Sequence, residues 1–315
     1  MDTYCPDLWT SLTIDNQGNV YSCCLIKPAR LGNIYRAKLE SLVNYPAIVE
    51  ERQNSLNGKL QCYENCNWVK KDELSGEHIA SSKVEYDKMS YLHLNFGERC
   101  NISCIMCNQR KRVSKNPWIL DPEVLKKNIN LKPFSDIVIQ GGEPLFIKEC
   151  LEYLSYLGSI GKKYTLLTNG LLINDLIADQ LSMDAKIVCI SLNAATKNTH
   201  EYVNRGSKWD IILDNIKRLK EARSRNNSRV EIWGRMTITA SSLHEIPLYL
   251  KIWKTLGFDH INFGYDRQTV PSYLKSNPHF YQQLRKEVTS VLARADLSTM
   301  DIYRLKYLGL AEEGV

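Results

Sequence analysis

Three cysteines, Cys100, Cys104 and Cys107, stand at C-x3-C-x2-C spacing just after an apolar run over 91–96. A loop this short aims three thiolates at one centre, and thiolates are the ligands of iron–sulfur clusters and of structural zinc. Structural zinc closes its shell with four ligands, and no fourth Cys or His follows nearby. Three ligands on a four-iron cubane leave one iron open to something that is not protein. The triplet alone leaves both metals open.

A second stretch narrows the choice. Residues 136–140 read as a buried strand, and Gly141-Gly142-Glu143-Pro144 follows at its end. Taken in order, Cys100, Cys104, Cys107 and then Gly141, Gly142, Glu143 and Pro144 resemble the signature of the radical S-adenosylmethionine enzymes, over roughly residues 88–266. The resemblance implies that the open iron is chelated by the amino and carboxylate groups of S-adenosylmethionine, with the glycine-rich backbone and Glu143 against the methionine amino group. One residue departs from the pattern: Met106 stands before the third cysteine, where the family usually carries an aromatic. Methionine is also bulky and apolar, which suits shielding of a cluster.

Composition sets the outer bounds. A chain of 315 residues buries a full core. No apolar run reaches the roughly 18 residues a membrane span needs, and the N-terminus has neither a basic region nor an apolar one. The expectation is a cytoplasmic protein with no membrane partner. Ten cysteines in clustered spacings, in a chain this long, favour metal binding over a disulfide scaffold. The net charge of +6 is spread along the chain, and no nucleic-acid-binding motif is visible.

Toward the N-terminus, residues 9–15 and 20–26 read as the strands of a β-hairpin around a turn containing Gly18. Cys5 precedes the first strand, Cys23 and Cys24 lie near the end of the second, and a helix is expected over about 37–54. Cys62 and Cys66 then add two thiols at x3 spacing. The order Cys5, Gly18, Cys23 resembles the auxiliary-cluster modules called SPASM and twitch, here placed before the radical domain. It implies a second 4Fe–4S cluster held by Cys5, Cys23, Cys62 and Cys66. Cys24 is the alternative to Cys23, because adjacent strand residues face opposite ways. A structural zinc site remains the bland alternative. The polar stretch 70–88 is the expected boundary, giving an auxiliary domain over 1–80 and a radical domain over 88–315.

From residue 91 onward, apolar runs alternate with helical patterns, which argues for repeated β/α units and a parallel sheet. Strands are expected at 90–96, 136–140, 163–168, 186–192, 229–239 and 259–265. Helices are expected near 121–129, 147–160, 174–182, 208–225, 243–256 and 277–294. The fold class is α/β, a partial (β/α)6 barrel of the radical S-adenosylmethionine type preceded by a small α+β hairpin-and-helix domain. Where residues 267–315 pack is left open.

Reactive residues in such barrels sit where strands end. Asn169 follows the third strand, and Ser191 and Asn193 end the fourth. Small hydrogen-bonding side chains there suit ribose hydroxyls or a carboxylate, which makes Asn169 a cofactor candidate, and the resemblance assigns Ser191 and Asn193 to the cofactor. Arg205 resembles an arginine that pairs with the cofactor carboxylate in SPASM-type relatives. Period-2 parity places Glu231, Trp233, Arg235 and Thr237 on one face of the fifth strand, and His260, Asn262 and Asp266 on one side of the sixth. Polar groups alternating with apolar ones in a sheet are costly unless they face something polar. Arg235 and Asp266 are therefore the candidate substrate-facing residues, with a Glu231–Arg235 ion pair as the structural alternative.

The resemblance implies that a low-potential electron, from a donor such as flavodoxin or ferredoxin, reductively cleaves S-adenosylmethionine at the Cys100/Cys104/Cys107 cluster. The resulting 5′-deoxyadenosyl radical abstracts a substrate hydrogen. The auxiliary cluster then takes the remaining electron, giving an oxidation. A peptide or protein side chain is the expected substrate. A small sugar, aminocyclitol or nucleotide-type metabolite is the enzymatic alternative. An iron–sulfur scaffold and a zinc-stapled nucleic-acid binder are the non-enzymatic ones.

Overall fold

The computed structural model describes residues 3–23, 30–60, 70–71, 81–107, 117–294 and 297–311. The chain divides into two compact units, Met1–Arg99 with Asn116–Tyr164, and Cys100–Lys115 with Thr165–Val315.

In the first unit the strands Asp136–Gln140, Tyr91–Asn95 and Ser11–Ile14 run parallel, and Asn19–Tyr21 and Arg30–Asn33 continue the sheet antiparallel. The register aligns Leu12 with Leu92 and Leu92 with Ile137, so one face is a fully buried aliphatic layer. The expected hairpin is present over a shorter span: Ser11–Ile14 pairs with Asn19–Tyr21, residues 9 and 10 close the short helix Asp7–Thr10 instead of starting the strand, and residues 24–26 lie outside the described ones. Its turn is held by Asp15, whose carboxylate accepts from the backbone N–H groups of Gln17 and Asn19 at 2.9 Å each. Gly18 adopts φ +79°, where a side chain would also run into the Tyr35 ring. The hairpin's first strand lies beside Tyr91–Asn95 in the same sheet.

The helix expected over 37–54 is a correction. Leu39–Ser41 is a single 3-10 turn, and the α-helix spans Pro46–Leu56. Proline favours the first turn of a helix and holds the residue before it extended, as Tyr45 is at ψ 143°.

The second unit carries a sheet in the order His260–Tyr265, Glu231–Ile238, Ala185–Ser191, Tyr164–Thr168, with the first three strands parallel. Val188, Ile190, Ile232, Met236, Ile238, Ile261 and Phe263 are buried on one face. Helix Trp209–Arg225 buries Ile212, Ile216 and Leu219 at helical spacing. Gly234 is required: a Cβ there would overlap the ring of Phe258 and the hydroxyl of Tyr249.

Strands and helices of both units match the expected β/α order within a few residues at each end. Helices Val270–Ser276, Pro278–Leu292 and Thr299–Tyr307 answer the question left by 267–315. The last packs against the edge strand His260–Tyr265, with Tyr265 and Tyr307 stacked at 5.7 Å. Among the described residues no helix is long and apolar enough to cross a membrane.

Candidate active site

The three-cysteine loop belongs to the second unit. Ser103–Cys104 pairs antiparallel with Asn204–Arg205, bringing Asn204 opposite Cys104 and Arg205 opposite Ser103. The Ile105 N–H donates to the Val203 carbonyl at 2.9 Å, and the Cys107 N–H closes a turn on the Cys104 carbonyl at 3.2 Å. Side-chain amides brace the same loop. Asn169 Nδ2 donates to Asn101 Oδ1 at 2.7 Å and lies 4.0 Å from Cys100 Sγ. Asn193 Nδ2 donates to Asn204 Oδ1 at 2.9 Å, while Asn193 Oδ1 accepts from the Thr237 N–H at 2.7 Å. Asn204 also meets the buried His200 ring at 3.2 Å.

Burial pushes the Cys104 thiol up to about 12, and the neighbouring Cys107 and Cys100 thiols add to the rise. Three half-buried sulfurs on one short loop are a donor set matched to cationic iron, whose binding expels their protons. In a cubane each thiolate binds a different iron, so three cysteines on one loop fit a four-iron cluster.

The Gly141–Pro144 motif belongs to the first unit, at the end of strand Asp136–Gln140. The Gly142 N–H donates to the Gly97 carbonyl at 2.7 Å, and the Glu143 N–H to the Arg99 carbonyl at 2.8 Å. A Cβ on Gly142 would overlap the Arg99 carbonyl, and one on Gly141 would lie 3.0 Å from the Gly97 oxygen. The double glycine thus seals the motif onto residues 97–99, which lead directly into Cys100. Glu143 is only 1 % exposed, and its Oε1 accepts from the Leu145 N–H at 3.1 Å, capping the 3-10 turn that Pro144 begins.

The remaining candidates separate. Arg205 is exposed and meets the cysteine loop through its backbone pairing. Ser191, Arg235 and Asn262 form one row across three adjacent strands. Arg235 Nη1 donates to Asn262 Oδ1 at 2.7 Å, and Glu231 accepts from Trp233 Nε1 at 2.7 Å, so the Glu231–Arg235 ion pair does not form. Asp266 lies beyond the strand and caps the following turn through the Gln268 N–H and Thr269 Oγ1. His260 is outside that network and packs its ring 5.3 Å from Trp233.

At the N-terminal side Cys5 is buried, its N–H donating to Ser55 Oγ at 3.0 Å, and Cys23 is half-buried. Cys24, Cys62 and Cys66 lie outside the described residues. Sequence reading passed over Asn101 and Asn204, both beside residues it had selected. Their only sequence signal is an amide next to a ligand or motif residue.

Three cysteines on one loop of an α/β fold with parallel strands fit an iron–sulfur protein. The profile "Radical SAM superfamily" matches residues 94–246, and that of the SPASM "Iron-sulfur cluster-binding domain" matches residues 5–67. The chain carries a radical S-adenosylmethionine superfamily domain and, before it in sequence, a SPASM iron–sulfur module. The cofactors of that assignment are a 4Fe–4S cluster with S-adenosylmethionine, and auxiliary iron–sulfur in the SPASM module.

Among curated proteins, the GTP 3′,8-cyclase of Peptoclostridium acidaminophilum is 28% identical over 137 residues, covering 41% of this chain and 42% of that protein. The GTP 3′,8-cyclase of Geobacter sulfurreducens is 30% identical over 136 residues, with the same two shares. The chain thus matches less than half the length of these relatives. Among solved structures, Streptococcus suis SuiB is similar at a TM-score of 0.47 and 16% identity, over 65% of this chain and 47% of that one.

Proposed function

We propose that this protein reductively cleaves S-adenosylmethionine and oxidises a peptide or protein side chain by hydrogen abstraction. The observation that carries the reading is the cysteine loop itself: three thiols on one short turn, braced by Asn169 and by the Asn193–Asn204 pair. When bound, the cluster and S-adenosylmethionine supply a 5′-deoxyadenosyl radical. The chain's own residues do the rest. Cys100, Cys104 and Cys107 hold the cluster, and Asn101 and Asn169 set the loop around Cys100. The backbone of Gly141 and Gly142, with Glu143 and Pro144, receives the methionine end of the cofactor. Ser191, Asn193 and Arg205 complete the cofactor's surroundings, Arg205 toward its carboxylate. Arg235 and Asp266 face the substrate. Cys5, Cys23, Cys62 and Cys66 hold the auxiliary cluster, with Cys24 as the alternative to Cys23, in a domain over 1–80 that precedes the radical domain over 88–315. A small flavodoxin or ferredoxin is the electron donor.

The SPASM module at 5–67 supports the peptide reading, because modules of this kind accompany peptide-modifying members of the superfamily. A second reading, a nucleotide-type metabolite, is supported by the curated relatives being named GTP 3′,8-cyclases.

The test is anaerobic iron and sulfide content together with a dithionite-driven cleavage assay, on wild type and the Cys100→Ala/Cys104→Ala/Cys107→Ala variant. About eight irons in the wild type and about four in the variant, with 5′-deoxyadenosine from the wild type only, is the expected result. Zinc in place of iron, or a fully loaded wild type that makes no 5′-deoxyadenosine with any peptide or nucleotide offered, rejects the reading.

A further inference from the structure

The second unit's sheet has one face of packed aliphatics and one of polar groups. On the polar face the parallel register sets Ser191, Arg235 and Asn262 in one row, with Cys189, Trp233 and His260 in the next. Arg235 is half-buried, and among the described residues no carboxylate pairs with it. Glu231, on the same strand face, is four residues away and is bonded to Trp233; four residues of strand are about 13 Å. A guanidinium withdrawn from water without a counter-ion is costly, and the cost falls when an anion arrives.

The cation is also positioned. Asn262 Oδ1 accepts from Arg235 Nη1 at 2.7 Å, and Asn262 is held in turn by its Nδ2 on Cys189 Sγ at 3.8 Å. The other arm passes over Gly264, where a Cβ would come within 3.0 Å of Nη2. Glycine at 264 therefore keeps the lane for that arm open. With Nη1 anchored, the fork is fixed before any ligand binds, which reduces the entropy lost on binding. No second lysine or arginine stands in these rows. One planar fork of single positive charge matches a carboxylate, which it binds bidentately, better than a phosphate dianion.

We propose that Arg235, set in place by Asn262 and Gly264, is the seat for a carboxylate group of the substrate. The inference rests on the reading that substrate enters this face of the radical domain. It adds the substrate's chemistry: an acidic side chain, a peptide C-terminus or a small organic acid.

The test is protection of Arg235 from an arginine-selective dicarbonyl reagent, followed residue by residue by peptide mass spectrometry on the full, iron-loaded chain. The probes are S-adenosylmethionine alone, and then with a blocked tripeptide bearing a central glutamate, the same peptide bearing glutamine, glutarate, or inorganic phosphate. Labelling is expected to slow about fivefold or more with the glutamate peptide or glutarate, and to be unchanged with the glutamine peptide. Glutarate protecting alone identifies a free acid; the glutamate peptide protecting more strongly identifies a peptide. Equal protection by the glutamine peptide, protection by phosphate alone, or protection by S-adenosylmethionine alone overturns the inference, the last assigning Arg235 to the cofactor.

Asn262→Asp is the second arm. It puts a carboxylate on the fork from within, so labelling is slow without any probe and the glutamate peptide adds nothing. A folded Asn262→Asp protein that labels as fast as wild type also overturns the inference. Iron content and 5′-deoxyadenosine formation are recorded on the same wild-type sample. Their failure rejects the class of reaction, whereas unprotected labelling with cleavage intact rejects only the carboxylate.

Discussion

Gly142 shows at the residue scale how a binding motif doubles as a packing constraint. Its N–H bonds the Gly97 carbonyl, and its missing side chain lets the chain lie against Arg99. Any Cβ there meets backbone, which cannot swing aside as a side-chain tip does. Gly142→Ala is expected to cost about 2–3 kcal/mol of stability, the range of overpacking, and to lower iron retention by disturbing the residues that lead into Cys100. Urea denaturation with iron titration checks it; an alanine variant of wild-type stability and iron content would show that the close approach is not needed. Asn193 illustrates a second residue-scale lesson. The resemblance assigns it to the cofactor, and it is also 3 % exposed and bonded at both ends of its amide.

At the scale of elements, helix Pro46–Leu56 ties the N-terminal segments together through one buried cation. Arg52 is 1 % exposed. It donates to the carbonyls of Leu8 at 2.7 Å, Val43 at 3.0 Å and Ser82 at 3.3 Å, and to Asn44 Oδ1 at 3.1 Å. Burial lowers its pKa to about 10, so it stays charged at neutral pH. The same helix supplies Ser55 to the Cys5 N–H. Arg52→Leu leaves several buried carbonyls unpaired and is expected to cost on the order of 3 kcal/mol. Exchange at the amides of 7–10 and 43–45 should accelerate together in hydrogen-exchange mass spectrometry. Faster exchange confined to one of the two segments would mean that Arg52 does not couple them.

For the whole molecule, two buried histidines couple folding to pH. Burial lowers His93 from 6.5 to about 4, opposed by a hydrogen bond with Gln140, and likewise lowers His200 to about 4. Each is neutral when folded and takes up a proton on unfolding below about pH 6.5. Their contribution is complete above about 6.5 and is lost as pH falls toward about 4, by on the order of 3 kcal/mol each. Urea midpoints of the metal-free chain measured from pH 7 to 4 should fall steeply, and His93→Gln and His200→Gln should each flatten the curve. A wild-type midpoint constant over that window rejects buried neutral imidazoles.

The β/α order was legible because periodicity 2 and periodicity 3.6 are local properties of a chain, as were the cysteine loop and the double glycine, whose chemistry is written in residue type and spacing. The helix boundary at Pro46 was legible in principle, since proline restrains its predecessor locally, but the apolar spacing over 37–45 outweighed it. Other features depend on register, which pairs residues far apart in sequence. Strand Ser11–Ile14 lies beside Tyr91–Asn95, Asn204 stands opposite Cys104, and Arg235 chooses Asn262 over Glu231. Sequence by itself determined the β/α order, the donor set and the family resemblance. Tertiary structure alone decided which amides brace the cysteine loop and that Arg235 meets the Asn262 amide rather than Glu231, because hydrogen-bond partners follow from where strands align in space.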